Sequence, residues 1–155
     1  MTIKALVLDV DGTLTDGHIY IGNNGELMKA FYAHDAVGVR TLVQNGIVPI
    51  IITGRESDII RIRAREMNVG DVYTDVQDKK EMLIRVAEEK NIDLEEIAFM
   101  GDDLNDLEAM KICGLVACPE DAVDEVKAIS NFVSKKKGGF GAVRELCDYI
   151  LGGEG

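Results

Sequence analysis

Short apolar runs alternate with amphipathic segments along most of this chain, and this alternation limits the possible folds more than any other feature. The apolar runs are short enough to be buried strands, and the segments between them repeat apolar residues with helical spacing. Strands and helices that alternate in this way form βαβ units, which place the strands in a parallel sheet with helices on both faces. The predicted strands cover residues 5–8, 48–52, 72–74, 97–100 and 115–118.

The predicted helices cover residues 35–45, 57–68, 79–90, 104–112 and 122–129, and a last helix follows the glycines at 138–141. Gly46 marks the end of the first helix, and Asp35 and Asp121 are predicted N-caps, of that helix and of the helix at 122–129. No linker, repeat or low-complexity segment interrupts the series. The sequence therefore predicts a single domain over residues 1–155, of the α/β class, with a Rossmann-like central parallel sheet.

One segment, at about residues 17–33, breaks the alternation. Residues 18–21 and 27–32 have the composition of two short strands, and Asn24-Gly25 between them suits a tight turn. The segment is predicted to be a β-hairpin. Because it follows directly on the first strand, we expect it to form a flap over the carboxyl edge of the sheet, where open α/β sheets bind their ligands.

Charge and cysteine usage narrow the class of protein. The net charge of −11 argues against nucleic acid and anionic membranes as partners. Residues 47–52 form the longest apolar run, which is far too short for a membrane span, and the first residues lack the pattern of a signal peptide. Three cysteines without a CxxC pair indicate reduced thiols, so we expect a cytoplasmic protein.

Polar residues follow each of the first four predicted strands, at the point where the strand ends. Each group alone has an ordinary explanation as a turn, a helix cap or a solvated charge. Together they are predicted to form one site, since the carboxyl ends of parallel strands meet at one edge of the sheet. A calcium loop of the EF-hand type is excluded, because Leu14 stands where that loop needs glycine. The groups are Asp9-Val10-Asp11-Gly12-Thr13, Thr53-Gly54-Arg55, Lys79 and Gly101-Asp102-Asp103-Leu104-Asn105-Asp106.

The pair Asp9 and Asp11 suits covalent phosphoryl transfer. A carboxylate can attack phosphorus and form an acyl phosphate, which divides a hydrolysis into two easier steps. A second carboxylate can protonate the leaving oxygen and then activate water. The two side chains converge only if the chain bends after Asp9, and Gly12 makes such a bend possible.

A divalent cation is expected beside these carboxylates. Each close pair of a phosphate charge and a carboxylate costs about 4 kcal/mol at an effective dielectric constant of about 20, and a cation removes this cost. Asp9, Asp102 and a backbone carbonyl offer the hard oxygen ligands that Mg²⁺ prefers. Thr53 can donate a hydrogen bond, and Lys79 a positive charge, to the phosphoryl oxygens.

The four groups resemble the four motifs of the phosphatases of the haloacid dehalogenase superfamily, over nearly the whole chain. The resemblance implies that Asp9 is the nucleophile and Asp11 the general acid and base. Lys80 competes with Lys79 for the phosphate-binding role, and Lys79 is preferred because it follows Asp78 at the helix start. The other implied roles are phosphate binding by Thr53, Gly54 and Lys79, Mg²⁺ binding by Asp9, the Asp11 carbonyl and Asp102, and support by Thr13, Asp103 and Asp106.

Within that superfamily the chain resembles the capless branch that includes the 3-deoxy-D-manno-octulosonate 8-phosphate (KDO 8-phosphate) phosphatases. The sequence leaves no room for a cap domain beyond the hairpin, and Lys29-Ala30-Phe31 and the segment 138–145 also look like that branch. The resemblance implies a homotetramer in which a neighbouring subunit helps to cover the site. It also implies a small phosphate ester as substrate, either KDO 8-phosphate or a nonulosonate 9-phosphate.

His34, Arg55 and Arg144 are the predicted substrate-binding residues. His34 replaces the arginine of the branch's usual Arg-Asp-Gly, which weakens the expectation of the octulosonate. A packed or solvated histidine and a surface salt bridge remain alternative explanations for His34 and Arg144. Two other functions stay open: a phosphatase of the same superfamily for another ester, and a receiver-like signalling domain, which would carry its phosphate on Asp75.

Overall fold

A parallel sheet of six strands forms the centre of the described chain, residues 2–152 of a computed structural model. Its strands are β1 (Ala5–Leu8), β4 (Val48–Ile52), β5 (Asp71–Tyr73), β6 (Ile97–Met100), β7 (Leu115–Cys118) and β8 (Phe132–Val133). Their order across the sheet is β5-β4-β1-β6-β7-β8, and every neighbouring pair is parallel. The predicted fold class is confirmed. Only β8 was missed, because a strand of two residues has no readable alternation.

Helices cover both faces of the sheet and bury the two sets of alternating strand side chains. Leu6 and Leu8 belong to a core on one face, with residues of α1, α2 and α6. Ala5 and Val7 belong to the core on the other face, with residues of α3, α4 and α5. The helices are α1 (Ala33–Gln44), α2 (Asp58–Glu66), α3 (Lys79–Lys90), α4 (Leu107–Met110), α5 (Asp124–Ile129) and α6 (Ala142–Gly152).

The two predicted aspartate caps are wrong. The N-cap of α1 is Tyr32, and the carboxylate of Asp35 instead accepts a hydrogen bond from the backbone N–H of Arg144, at 3.0 Å. The N-cap of α5 is Val123, and Asp121 accepts from the N–H of Gly138, at 3.1 Å. Both carboxylates satisfy donors that are distant in sequence, which local capping rules do not anticipate.

The helix predicted over 104–112 is also shorter than expected. A 3-10 turn, Leu104–Asp106, comes first, and α4 then covers only Leu107–Met110. Asp103 accepts a hydrogen bond from the N–H of Leu104, at 2.7 Å. Acids at these positions cap and orient the turn, so the polar motif takes the place of a longer helix.

The predicted hairpin is present as a separate antiparallel pair, β2 (Tyr20–Gly22) and β3 (Gly25–Met28). Asn23 and Asn24 form the turn, one residue earlier than predicted, and Gly25 opens β3 at φ +115°. Ile19, just before β2, lines the cleft described below. None of the helices between residues 2 and 152 combines the length and apolar character needed to traverse a bilayer.

Candidate active site

A cleft of about 210 Å³ opens at the carboxyl edge of the sheet. It lies where β1 meets β4 on one side and β6 on the other, the point at which open α/β sheets bind ligands. Three of the four polar motifs contribute directly to its wall. The lining residues are Asp9, Asp11, Ile19, Thr53, Gly54, Arg55, Asp102, Asp103 and Asn105.

Lys79 connects the third motif to the other three. It is the first residue of α3, and its buried ammonium donates to Asp9 Oδ1 at 3.0 Å and to Asp106 Oδ1 at 2.6 Å. Asp78 caps the same helix by accepting from the N–H of Glu81, which fixes where α3 begins. Lys80 is exposed on the next position of the helix. The geometry therefore places Lys79, and not Lys80, beside Asp9.

The loop after β1 bends sharply, as its glycine predicted. The carbonyl of Val10 accepts hydrogen bonds from the N–H groups of Thr13, Leu14 and Thr15. Gly12 has φ +92°, and a Cβ at this position would lie 1.8 Å from Asp102 Oδ2. Only glycine therefore lets the β1 loop approach the loop after β6 so closely.

Asp11 lies on the cleft wall with cations on both of its oxygens. Lys29 Nζ donates to Asp11 Oδ1 at 2.6 Å, and Arg55 Nε lies 3.7 Å from Asp11 Oδ2. Lys29 comes just after β3, so the base of the hairpin contacts the first motif directly. Asp11 thus contacts Lys29 and Arg55, whereas Asp9 contacts Lys79.

Burial and mutual repulsion shape the acidity of the central carboxylates. Burial, reinforced by the charge of Asp106, raises the pKa of Asp9 to about 6 even though Lys79 acts against it. Burial and the negative charge of Asp9 raise the pKa of Asp102 to about 9. Carboxylates that resist ionisation together in this way are stabilised by a shared cation.

The donor set fits the Mg²⁺ that the sequence predicts. Oxygens of Asp9, Asp102 and Asp106 lie within 4.8 Å of one another, and Asp102 Oδ1 is buried without a hydrogen-bond partner. Both oxygens of Asp106 are occupied by hydrogen bonds: Oδ1 accepts from Lys79, and Oδ2 accepts from the N–H of Asp102 at 3.1 Å. Asp9 and Asp102 therefore remain the carboxylates available to a cation.

Two of the predicted substrate-binding residues lie away from the cleft. His34 is an exposed residue of α1 that packs against the ring of Tyr32, with ring centroids 4.9 Å apart. Arg144 donates to Asp148 Oδ1 at 3.1 Å and to the carbonyl of His34 at 3.2 Å. The structure therefore brings only the third, Arg55, to the cleft of its own chain.

The supporting residues take different places. Thr13 is fully buried and its hydroxyl has no partner, while its carbonyl accepts from the N–H of Gly139 at 3.4 Å. Asp103 lines the cleft and Asp106 lies beneath it. Asp75, the phosphate acceptor of the receiver-like alternative, is exposed and does not line the cleft, so this alternative is not supported.

Lys29, Ile19 and Asn105 were not predicted as site residues. Asn105 lies within the fourth motif, so its position was a usable signal. Lys29 and Ile19 reach the site only because the hairpin folds back over the sheet. A contact that depends on the hairpin's orientation cannot be read from strand alternation.

Comparison with known proteins gives one consistent result. The family model for haloacid dehalogenase-like hydrolases matches residues 52–146. The chain is 38% identical over 149 residues to the KDO 8-phosphate phosphatase of Yersinia pestis. The match covers 96% of this chain and 80% of that protein. The KDO 8-phosphate phosphatase of Moraxella catarrhalis, solved with magnesium, phosphate and KDO, is 38% identical with a TM-score of 0.94, covering 97% of this chain and 86% of that one. A cobalt-bound Haemophilus influenzae phosphatase for deoxy-D-mannose-octulosonate 8-phosphate is 33% identical with a TM-score of 0.94, over 97% of this chain and 88% of that one.

Proposed function

Since this chain belongs to the haloacid dehalogenase-like hydrolases, we propose that its cleft hydrolyses the phosphate ester of a 2-keto-3-deoxy sugar acid. Like the relatives that it resembles, the chain is a Mg²⁺-dependent phosphatase. The observation that carries the proposal is the buried Lys79, which joins Asp9 to Asp106, while Asp9 itself lines the cleft together with Thr53 and Asp102.

In the first step Asp9 attacks phosphorus with a carboxylate oxygen, and the bond from phosphorus to the leaving oxygen breaks. An aspartyl phosphate forms on Asp9, and the leaving alkoxide takes a proton from Asp11. Lys79 and Thr53 bind the phosphoryl oxygens, where negative charge is concentrated in the transition state. Lys79 suits this role because its ammonium already contacts Asp9, within reach of the transferred group.

In the second step Asp11 acts as a base. It removes a proton from water, and the water oxygen attacks the phosphorus of the aspartyl phosphate. Inorganic phosphate leaves, and the carboxylate of Asp9 is restored. Asp11 suits both steps because it lines the cleft and contacts Lys29, whereas Asp9 contacts Lys79.

Mg²⁺ would be held by Asp9, Asp102 and the carbonyl of Asp11. When bound, the ion offsets the repulsion between the phosphate and the carboxylates, and it polarises a phosphoryl oxygen. Asp103 and Asp106 then keep the loop after β6 in place, the first by capping the turn at Leu104 and the second through the N–H groups of its own loop.

KDO 8-phosphate and a nonulosonate 9-phosphate are the proposed substrates. Support comes from relatives with this substrate in their names and from Arg55, a half-exposed cation at the cleft mouth that suits a sugar carboxylate. His34 replaces the arginine usual in that branch, and a neutral imidazole cannot form the bidentate pair of an arginine. We therefore expect the chain to discriminate less strongly for the octulosonate than its relatives do.

A homotetramer is proposed on the strength of the resemblance and the hairpin. Ile21 and Leu27 are each 67% exposed and Met28 is 54% exposed, so the hairpin presents apolar side chains that a neighbouring subunit would cover. In such an assembly His34 and Arg144 would reach a substrate only in a neighbour's site, since neither lines the cleft of its own chain.

The cytoplasm is the proposed location. Cys113, Cys118 and Cys147 are free thiols, and the last two are buried. Cys113 is partly buried, and this partial burial raises the pKa of its thiol to about 12, which keeps it protonated and unreactive at neutral pH. Free thiols of this kind are typical of proteins kept in a reducing compartment.

A panel of phosphate esters tests the proposed function. KDO 8-phosphate and a nonulosonate 9-phosphate should be hydrolysed with a higher kcat/KM than neutral sugar phosphates of equal length. Asp9→Asn should abolish turnover of all of them with the fold retained, because an amide is a very poor nucleophile. A higher kcat/KM for the neutral esters, in both the wild type and His34→Arg, would remove the sugar acid from the proposal. Full turnover by Asp9→Asn would remove the nucleophile.

A further inference from the structure

Lys29 is a buried cation at the active site that none of the four motifs contains. Its side chain is only 2% exposed, and Nζ donates to Asp11 Oδ1 at 2.6 Å and to Glu26 Oε2 at 2.8 Å. Burying an ammonium group costs several kcal/mol of hydration, which is recovered only with close, well-placed partners. The position of Lys29 therefore depends on these two carboxylates.

Glu26 in turn is anchored to the body of the domain. Its Oε1 accepts a hydrogen bond from Ser57 Oγ at 2.8 Å, and Ser57 is the N-cap of α2, accepting from the N–H of Ile59 at 3.2 Å. Burial alone would raise the pKa of Glu26, but the hydrogen bonds from Lys29 and Ser57 outweigh it and hold the pKa below its ordinary value. Glu26 is thus a fixed, ionised support for Lys29.

The contact leaves one oxygen of Asp11 held and the other directed elsewhere. Lys29 holds Oδ1, whereas Oδ2 lies 3.7 Å from Nε of Arg55, a residue that lines the cleft. We infer that Lys29 is a positioning residue, which holds the carboxylate of Asp11 so that its second oxygen faces the leaving group. The inference rests on the proposed function, because it takes Asp11 as the general acid.

The alternative role for a buried lysine is to bind the phosphoryl group, and the geometry favours positioning instead. Lys79 already supplies a cation at Asp9, where phosphoryl transfer occurs. Lys29 instead donates one hydrogen bond to Asp11 and a second one to Glu26. Lys29 therefore acts on Asp11, the proposed acid and base, whereas Lys79 acts on Asp9, the proposed nucleophile.

Two esters of similar size, benzyl phosphate and 4-nitrophenyl phosphate, separate the two roles. Benzyl alcohol is a poor leaving group that needs a proton, while 4-nitrophenolate leaves without one. The kcat/KM value covers only the steps up to departure of the leaving group, so it reports the acid role of Asp11 and not its later role as base. The ratio of the two kcat/KM values is also independent of the fraction of enzyme that is folded.

Lys29→Met should lower kcat/KM for benzyl phosphate by about 10- to 100-fold and for 4-nitrophenyl phosphate by less than about 3-fold, since acid catalysis contributes on the order of 10² or more. Asp11→Asn should show the same selectivity with a larger loss. Lys29→Arg, which keeps the charge and the N–H donors, should recover part of the benzyl phosphate rate. Lys90→Met is the matched control, because Lys90 forms an ion pair with Asp71, at 2.9 Å, away from the cleft.

The outcomes distinguish this inference from the proposed function. Equal losses on both esters in Lys29→Met, with selective loss in Asp11→Asn, would overturn the positioning role and leave the proposed mechanism intact. Equal losses in Asp11→Asn as well would overturn both. A selective loss in both variants, partly recovered by Lys29→Arg and absent from Lys90→Met, is the expected result.

Discussion

Lys79 is the residue on which the charges of the site depend. It is buried between Asp9 and Asp106, and these carboxylates counterbalance its ammonium at 3.0 and 2.6 Å. Although burial opposes its charge, the two carboxylates raise the pKa of Lys79 above its ordinary value. The lysine therefore stays charged throughout the working pH range and is available to a phosphoryl group.

Replacing Lys79 by methionine should affect both activity and stability. The loss of one partner leaves buried carboxylates uncompensated, which costs about 3–5 kcal/mol of unfolding free energy. Turnover should fall below detection, because the phosphoryl oxygens lose their cation. Lys80→Met is the control: urea unfolding and phosphate release should both match the wild type within experimental error. Activity lost in Lys80→Met but kept in Lys79→Met would reverse the assignment.

Among the elements, α1 and α6 pack closely against each other. Asp35 of α1 accepts from the N–H of Arg144 in the first turn of α6, so one helix caps the other. The glycine loop before α6 packs on the loop after β1, since a Cβ at Gly138 would lie 2.0 Å from the carbonyl oxygen of Gly12. The hydrogen bond from Arg144 to Asp35 thus fixes the start of α6, next to the glycine loop that packs against Gly12.

Asp35 should make stability depend on pH in a predictable direction. Burial raises its pKa to about 6 in the folded protein, against 3.8 ordinarily. The folded state therefore binds the proton more tightly, and this stabilisation, present below about pH 4, is lost as the pH rises through about 6. This gap between the folded and the ordinary pKa of Asp35 corresponds to a change of at most about 3 kcal/mol in the free energy of unfolding.

Asp35→Asn removes the titration and keeps an acceptor for the N–H of Arg144. The stability of this variant relative to the wild type should therefore rise between pH 4.5 and pH 8, as measured by urea unfolding. Asp35→Ala is the control: it removes both the titration and the cap, so it should show the same pH trend as Asp35→Asn but be less stable than Asp35→Asn by about 1 kcal/mol at each pH. A constant difference between Asp35→Asn and the wild type would show that Asp35 does not titrate in this range.

At the scale of the whole molecule, the metal site links stability to both Mg²⁺ and pH. In the ion-free protein the raised pKa values of Asp9 and Asp102, about 6 and about 9, mean that stability is lost as the pH rises through those values. Mg²⁺ binds the ionised carboxylates and so competes with protons. The stabilisation that the ion provides should therefore be largest at high pH.

Thermal unfolding with Mg²⁺ and with excess chelator, at several values between pH 5 and pH 9, measures this link. The difference between the Tm with Mg²⁺ and the Tm with chelator should widen as the pH rises. Mg²⁺ at about 100 times its Kd should add about 2.7 kcal/mol to the free energy of unfolding. Asp102→Asn removes one of the proposed ligands and should make the two curves nearly coincide. A Tm difference that narrows as the pH rises would contradict the assigned ligands.

The proposed tetramer is testable at the hairpin. Leu27→Lys places a charge on its exposed apolar face, and buried unpaired charge opposes association. Light scattering should show a smaller particle than the wild type, with lower kcat/KM because the site loses its cover. Lys111→Glu, a change of a surface charge outside the hairpin, is the control and should change neither the particle size nor kcat/KM. A wild type that is fully active as a monomer would end the proposal.

The sequence predicts the sheet well, and it predicts that Asp9 and Asp11 lie at the cleft, because both depend on local patterns. Four of the five predicted strands have the bounds that the structure shows, since each is an apolar run closed by polar residues. The caps at Asp35 and Asp121 were wrong because their donors come from residues 144 and 138. Lys29 was missed for the same reason: its partner Asp11 lies 18 positions away, across a hairpin whose orientation the sequence does not state.

The central position of β1 also governs when a newly made chain becomes an enzyme. β1 leaves the ribosome before both of its neighbours, because β4 and β6 comprise residues 48–52 and 97–100. At translation rates of about 5–20 residues per second, the strand that leads to Asp9, the proposed nucleophile, is made on the order of 5–20 s before its second neighbour. The loop at Gly138, which backs the catalytic turn, emerges later still. A chain that still lacks these segments therefore carries Asp9 without its surroundings, and phosphatase activity should begin only after the loop at Gly138 has emerged.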